Sequence, residues 1–384
     1  MITITVAGDF SQKYRVGNTI IDKEFGILFD DIRPIIKHSD YSIVNFEFPI
    51  VNNPRGEKSI KKTGTILKGT KESIEALSYA GFKCCTLANN HILDWGIQCC
   101  IDTKETLEKA GISTVGAGIN TESASSILYK KIKGETLAII NCAENEFTIA
   151  TDISAGANPL NPIKQYYKIQ EARKTADYLI VIVHGGHEHY QLPSMRMQET
   201  YRFFIDAGAD AVVNHHQHCY SGYEIYKNKP IFYGLGNLLF DHQTKRDDIW
   251  NKGFMVTLSF DKENFPKFDL HPYSQCDKKG LGIHLLNDKS AFYNKITQLN
   301  TIIADKNKLS SALNNYYKSS SSFVLSWFEP YFGHPHLVKL LSILKIKTLI
   351  SEKQALAILN SISCESHRDK ILFALREKLN LNHA

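Results

Sequence analysis

The chain has 384 residues, 43% apolar and 22% charged, with a formal net charge of +5. That suits a soluble globular protein with one large domain and a smaller one, and no apolar run approaches the roughly 18 residues needed to cross a bilayer. The excess charge is unevenly spread: residues 278–384 hold 15 Lys and Arg against 7 Asp and Glu.

The first residues, Met1-Ile-Thr-Ile-Thr-Val-Ala7, alternate like a strand, not like a secretory signal, and lead at once to Gly8-Asp9. The spacing then predicts a helix over residues 25–38 and a strand over 41–46 that delivers Asn45 and Glu47 on one side. Asp9 and Glu47 thus lie at strand ends, where each serves as a turn or cap carboxylate as readily as a ligand. Next comes a stretch without apolar period, carrying Arg55, Lys58, Lys61, Lys62 and Lys68 among glycines. It reads as an exposed, mobile loop, either simply solvated or a cationic guide for an anionic substrate.

Residues 82–88 read as a buried strand and 97–110 as a helix stopped by Gly111. Between them Asn89-Asn-His91 sits at a strand's C-terminal end, where open α/β sheets place ligand chemistry. Asp94 can orient the His91 imidazole; taken alone, Asn-Asn makes an Asx turn and Asp94 a helix cap equally well. A short strand follows to Gly116-Ala-Gly118, which is no dinucleotide fingerprint. A hairpin turns at Lys133-Gly-Glu135, a helix covers 165–176, and 177–183 is the strongest buried strand, ending at His184-Gly-Gly-His-Glu-His189. A helix over 195–207, a strand over 210–214 ending at His215-His-Gln-His218, a strand over 230–237 and an antiparallel pair over 252–260 and 264–273 complete this part. Beyond residue 275 the pattern is helical and Lys-rich, interrupted by the polar run Ser319–Ser322, so the expected boundary divides residues 1–275 from 276–384. The eight cysteines include the adjacent pairs Cys84-Cys85 and Cys99-Cys100, which suit reduced buried thiols and a cytoplasmic compartment better than disulfides or zinc.

Six of the fifteen histidines fall in the two segments 184–189 and 215–218. Imidazoles crowded at strand ends repel when protonated unless a cation organises them. His216 and His218, two apart on an extended segment, can face one point. With Asp9, Glu47, Asn90, His91 and His184 they make a carboxylate, carboxamide and imidazole set that suits Mn, Fe or Zn. Glu47 is the best candidate for a carboxylate shared by two metals about 3.5–4 Å apart.

In order along the chain, Gly8-Asp9, Asn45-Phe-Glu47, Asn89-Asn-His-x-x-Asp-x-Gly96, Gly116-Ala-Gly118, His184-Gly-Gly-His-Glu188, Asp206-Ala-Gly-Ala-Asp210, His215-His-Gln-His218, Lys229-Pro230 and Gly236-Asn237 resemble the CapA family. These are capsule and poly-γ-glutamate synthesis proteins, a branch of the calcineurin-like metallophosphoesterases, and the resemblance spans roughly residues 1–275. It implies an α/β fold, a four-layer α/β/β/α sandwich with two divalent metal ions between the sheets, followed here by a helical C-terminal region. Asp9 and His218 would hold the first metal, Asn90, His184 and His216 the second, and Glu47 would bridge them. His91, steadied by Asp94, would protonate the leaving group. Apart from the resemblance, the charges of the basic loop make Arg55, Lys58, Lys61 and Lys62 expected substrate contacts, together with His187 and Glu188. One departure stands out: the superfamily's Asp-x-His opening is Asp9-Phe-Ser11 here, so the first metal has one imidazole fewer. The expected activity is hydrolysis of, or transfer at, an anionic ester or amide in capsule, poly-γ-glutamate or surface-polysaccharide metabolism. The rivals are a non-catalytic assembly subunit and a cytosolic phosphatase or nucleotidase. Expected partners are an anionic polymer or small anionic substrate and proteins of polymer synthesis, with no nucleic acid and no transmembrane segment.

Overall fold

Four parallel strands, Ile2–Phe10, Tyr41–Phe46, Cys84–Thr86 and Ser113–Val115, form the centre of the first sheet in that spatial order. Beyond Ile2–Phe10 the sheet continues antiparallel through Lys252–Asp261, Asn264–Gln275 and Ile283–Leu285. The second sheet runs Tyr223–Tyr226, Lys229–Phe232, Ala211–His215, Tyr178–His184, Glu135–Ala143, Leu128–Ile132, parallel through its middle four. The computed structural model describes residues 1–52, 58–329, 334–344 and 349–379.

The two sheets face each other, and polar residues stitch them together. His215 Nε2 meets the Ala7 carbonyl oxygen at 3.0 Å, and the Ala88 N–H donates to Asn141 Oδ1 at 2.8 Å. Helices cover the outer faces. Tyr14–Ile21, Phe25–Phe29, Arg33–His38, Glu72–Ala80 and Gly96–Lys109 flank the first sheet, where Val16, Ile20, Phe29, Leu77 and Leu107 join Phe10, Phe46 and Phe48 in one buried cluster. Pro162–Arg173 and Met195–Ala207 cover the second, burying Ile169, Met197, Tyr201 and Phe204. The result is a helix–sheet–sheet–helix sandwich with a helical C-terminal region. Burying roughly a hundred Å² or more of each such aromatic ring contributes about 2–3 kcal/mol.

The differences from the expected elements have local causes. The helix expected over 25–38 is two, because Pro34 lacks the N–H a continuing helix needs and instead opens the first turn of Arg33–His38. The strand expected over 230–237 breaks at Gly236 (φ +81°): Lys229–Phe232 joins the second sheet and Asn237–Leu239 pairs with the end of Ile2–Phe10 in the first. The polar run Ser319–Ser322 does not interrupt its helix, which runs Lys306–Ser326; Ser319 and Ser320 return their hydroxyls to the Tyr316 carbonyl at 2.8 and 3.0 Å. Helix Glu72–Ala80, unanticipated, is closed by Gly81 in the left-handed conformation at φ +98°.

The chain divides into two compact units, Met1–Leu309 and Ser310–Ala384. The boundary expected after residue 275 does not coincide with this one: strand Ile283–Leu285 and helix Ser290–Ala304 belong to the first unit. In the second unit, helices Glu352–Ser363 and Glu365–Leu379 follow each other directly. No described helix is long and apolar enough to cross a membrane.

Gly8 shows how tightly the first sheet is built around Asp9. A Cβ at residue 8 would lie 1.9 Å from the Gly236 carbonyl oxygen, which also accepts the Asp9 N–H at 3.2 Å. Gly8→Ala must therefore push strand Asn237–Leu239 away. It is expected to cost about 1–3 kcal/mol in denaturant unfolding; wild-type stability in that variant would refute the close approach.

Candidate metal centre

Strand register brings the site together before any side chain is considered. Asp9 pairs with Asn45 and with Asn237 in the first sheet, while His184 pairs with His215 in the second. Asp9, Asn45, His184 and His215 lie at the C-terminal ends of parallel strands in the two facing sheets, and Asn237 opens the short strand that pairs with the end of the first. Phe46 and Phe48 anchor in the helix-side core with their rings 4.1 Å apart, so alternation turns Asn45 and Glu47 toward the second sheet.

Asp9, Glu47 and His218, all buried, each offer a ligand atom, and those atoms lie within 4.8 Å of one another. Glu47 Oε1 has no hydrogen-bond partner. Around it stand three imidazole nitrogens: His218 Nε2 at 3.6 Å, His184 Nε2 at 3.9 Å and His91 Nε2 at 3.9 Å. A buried carboxylate oxygen surrounded at this distance by ring nitrogens is the arrangement a cation completes, so the donors present fit a divalent metal. On the other side of Glu47, His184 Nε2 lies 3.1 Å from both Asn90 Oδ1 and His216 Nδ1. The structure thus gathers Asp9, Glu47, Asn90, His184, His216 and His218 into one buried pocket of donors.

The electrostatics match. Burial, first of all, raises the Asp9 carboxyl to about 7 against the opposing hydrogen bonds from the Asn45 side chain and the His216 backbone. Burial and then the neighbouring Asp9 push Glu47 well above the usual carboxylate range. Burial likewise holds His184 and His218 well below the ordinary imidazole range, with His216 adding to both. Carboxyls driven toward their neutral form and imidazoles held unprotonated are what a site looks like when its positive charge is to come from a metal.

His216 and His218 do not lie on an extended segment aimed at one point. Both have left-handed backbones, φ +93° and +53°. The two turns give the rings different neighbours, His216 Nδ1 lying 3.1 Å from His184 Nε2 and His218 Nδ1 3.6 Å from Asp9 Oδ2. Non-glycine residues held there cost on the order of 1–3 kcal/mol each, and the His216 N–H recovers part of it by donating to Asp9 Oδ2 at 3.1 Å. Ser11, where an imidazole was missed, is buried and donates its N–H to the Leu239 carbonyl at 2.9 Å.

Two asparagines that the residue patterns left without a role orient these donors. Asn45 Nδ2 donates to Asp9 Oδ1 at 2.7 Å and lies 3.4 Å from Glu47 Oε2 and 3.3 Å from His184 Nδ1. Asn237 Oδ1 lies 2.8 Å from His218 Nδ1; as it can only accept, it fixes the proton there and leaves Nε2 open toward Glu47. Alternation had placed Asn45 beside Glu47, which was the usable signal.

His91 Nδ1 lies 2.7 Å from Asp94 Oδ2, and Asp94 is completely buried. Lys62 is where the sequence expectation changes most. Its side chain is 3% exposed, and its ammonium donates to Asp94 Oδ1 and to the Asn90 carbonyl at 3.0 Å, 3.2 Å from His91 Nδ1. The stretch around it docks on Asp94: the Ile60 N–H donates to the Asp94 carbonyl at 3.0 Å and the Leu67 N–H to Asp94 Oδ2 at 2.6 Å. Lys58 and Lys61 are exposed, and Arg55 lies outside the described residues. His187 is half-buried near Glu144 and Arg196, while Glu188 is exposed and its charge reaches Glu47 and His91.

Residues 3–242 match the family model described as bacterial capsule synthesis protein PGA_cap. The chain is 32% identical over 251 residues to "Capsule biosynthesis protein CapA" of Bacillus anthracis, a match covering 62% of this chain and 60% of that protein. It is 30% identical over 275 residues to "PGA biosynthesis protein CapA" of Bacillus subtilis (strain 168), covering 71% of each. A solved structure of a phosphatase from Mycoplasma pneumoniae overlays with a TM-score of 0.43 at 15% identity, covering 72% of this chain and 95% of that one. The family model spans more than half of the chain and includes Asp9, Glu47, the Asn-Asn-His turn and both histidine segments; the chain belongs to the PGA_cap family of bacterial capsule synthesis proteins.

Proposed function

We propose that this protein is a two-metal hydrolase acting on an anionic ester or amide in capsule, poly-γ-glutamate or surface-polysaccharide metabolism. The observation that carries the reading is the placement of His91. Its Nε2 lies 3.9 Å from Glu47 Oε1, among the candidate ligands, while its Nδ1 is held by a buried carboxylate at 2.7 Å. An imidazole so fixed, next to a metal centre, is equipped to hand a proton to a leaving atom.

Divalent ions held by Asp9, Glu47 and His218 on one side, and by Glu47, Asn90, His184 and His216 on the other, would polarise the scissile group and stabilise its developing charge. The residues do the rest. Asn45 and Asn237 hold the ligand atoms in orientation, Asp94 with Lys62 behind it fixes the His91 ring, and the facing sheets limit access of water. Lys58 and Lys61 remain as candidate contacts for the substrate's charges. Neutralising both is expected to raise KM by about two- to threefold with little change in kcat; an unchanged KM at low ionic strength removes them from the site.

The test combines elemental analysis of protein grown with supplemented Mn, Fe or Zn with turnover of phosphate mono- and diesters and γ-glutamyl amides. Close to two ions per chain with metal-dependent turnover supports the reading. Fully bound metal without turnover of any of these substrates favours an assembly subunit of a polymer-synthesis complex.

A further inference from the structure

One side of the metal centre carries a feature that the assignments above leave unused. The His218 ring packs against Trp250 and Phe240, with centroids 4.8 and 5.1 Å away, and those two rings touch each other at 5.0 Å. Over this aromatic wall stand two ammonium groups: Lys245 Nζ is 4.8 Å from the Trp250 ring and Lys13 Nζ is 5.9 Å from the Phe240 ring. Lys13 lies three residues beyond the strand that carries Asp9, and Lys245 reaches the centre's side through Trp250, which packs on His218.

Of the neighbouring acids, Asp241 and Asp247 are committed to other cations, and Asp248 caps the turn that carries Trp250. Asp241 takes both Arg15 (Nε to Oδ2, 2.9 Å; a terminal nitrogen to Oδ1, 2.8 Å) and Arg246 at 3.2 Å. Asp247 pairs with Lys252 and Lys278, and Asp248 accepts the Trp250 N–H at 3.0 Å. Among the described residues neither Lys13 nor Lys245 has a carboxylate within ion-pair distance, although both are half-buried. Burial accordingly draws the Lys13 ammonium below its usual range, with no anion to offset it. Their fields also converge: after burial, Lys245 and Lys13 are the leading causes that hold the His242 imidazole low. A ring face favours a cation above it but does not neutralise it, so the outward side of each ammonium is left to bind an anion.

We propose that Lys13 and Lys245, held over the Phe240–Trp250 wall beside His218, form an anion-binding subsite for a carboxylate or phosphate of an extended polyanionic ligand. The subsite rests on the proposed function only in that the ligand's reacting group would lie at the metal centre. A polyanion with repeating charges would place one group on the lysines and present another to the centre. This gives the ligand a direction, with one charged group on the lysine shelf and the next unit over Glu47.

The test titrates the full-length, metal-loaded chain with a γ-linked glutamate tetramer and, separately, with a glycerol phosphate trimer, by calorimetry and by Trp fluorescence at low salt. Lys13→Gln/Lys245→Gln is expected to weaken the preferred ligand by about tenfold or more, the loss of two charge-assisted contacts. Lys13→Arg/Lys245→Arg should stay within about threefold of wild type, as should Lys164→Gln/Lys174→Gln, exposed lysines on and at the end of the helix that covers the outer face of the second sheet. Binding should also change the fluorescence of Trp250, and this change should vanish in the Gln pair. The probe that loses more identifies carboxylate or phosphate as the natural group. Equal affinity of wild type and the Gln pair for both probes, no binding of either probe by wild type, or a loss no greater than that of the Lys164/Lys174 pair overturns the subsite. Lysine-dependent binding without turnover would instead leave the subsite standing and remove the hydrolase reading.

Discussion

Replacing His91 by Asn is expected to leave bound metal nearly unchanged while lowering kcat by about 10²–10⁴ for a substrate with a poor leaving group. For a nitrophenolate leaving group, which needs little protonation, the loss should be much smaller. The contrast follows from geometry: His91 turns Nδ1 to Asp94 and presents only Nε2 to the centre, at 3.9 Å from Glu47, whereas His216 Nδ1 lies 3.1 Å from His184 Nε2 among the donors. His216→Ala should therefore lower bound metal, with partial recovery at high metal concentration. Lys62 extends the same argument. Its buried ammonium holds Asp94 Oδ1 and the Asn90 carbonyl, so Lys62→Met should reproduce a weaker form of the His91 leaving-group dependence and should not act as a KM defect. If His91→Asn strips the metal or slows both substrates equally, His91 is a ligand or a structural residue, and the proton must come from elsewhere.

The strand ends of this protein were legible because their chemistry is local. A parallel strand buried on both faces reads as an apolar run, as at Tyr178–His184, and whatever polar residues follow it must lie at the sheet's C-terminal edge. Asp9, Glu47, Asn90, His184, His216 and His218 were all placed that way, and the structure gathers them. What the pattern could not give was direction within a turn. The left-handed backbones of His216 and His218 send the two imidazoles to different partners, His184 and Asp9, and period-two reasoning fails once the chain leaves the extended conformation. Lys62 was misread for a different reason. A lysine in a stretch without apolar period looks solvated, but the Ile60 and Leu67 N–H groups dock that stretch on Asp94, a contact about thirty residues away that no local rule contains. Asn45 and Asn237 belong to the same class, since their value lies in which ring or carboxylate they meet across strands.

Glu47→Gln is expected to abolish the stabilisation that metal gives the wild-type protein while leaving the metal-free protein as stable as before, or more so. Glu47 is fully buried, its Oε1 has no hydrogen-bond partner, and Asp9 stands beside it as a like charge. Without a cation this arrangement costs folding free energy, through burial of an unsatisfied oxygen and through repulsion. A neutral amide of the same shape relieves the repulsion, but it contributes no charge to a metal and offers a weaker donor between His218 and His184. At a metal concentration 100 times the dissociation constant, binding to the folded state alone stabilises wild type by about 2.7 kcal/mol, several degrees in Tm for a domain of this size. Thermal unfolding of both proteins, with chelator and with added Mn or Zn, reads the difference directly. Should Glu47→Gln keep the full metal-induced rise, Glu47 is not a ligand. Should it instead lower the chelated Tm by as much as metal raises that of wild type, the carboxylate is serving the fold, and the orphaned oxygen has lost its meaning as a metal site.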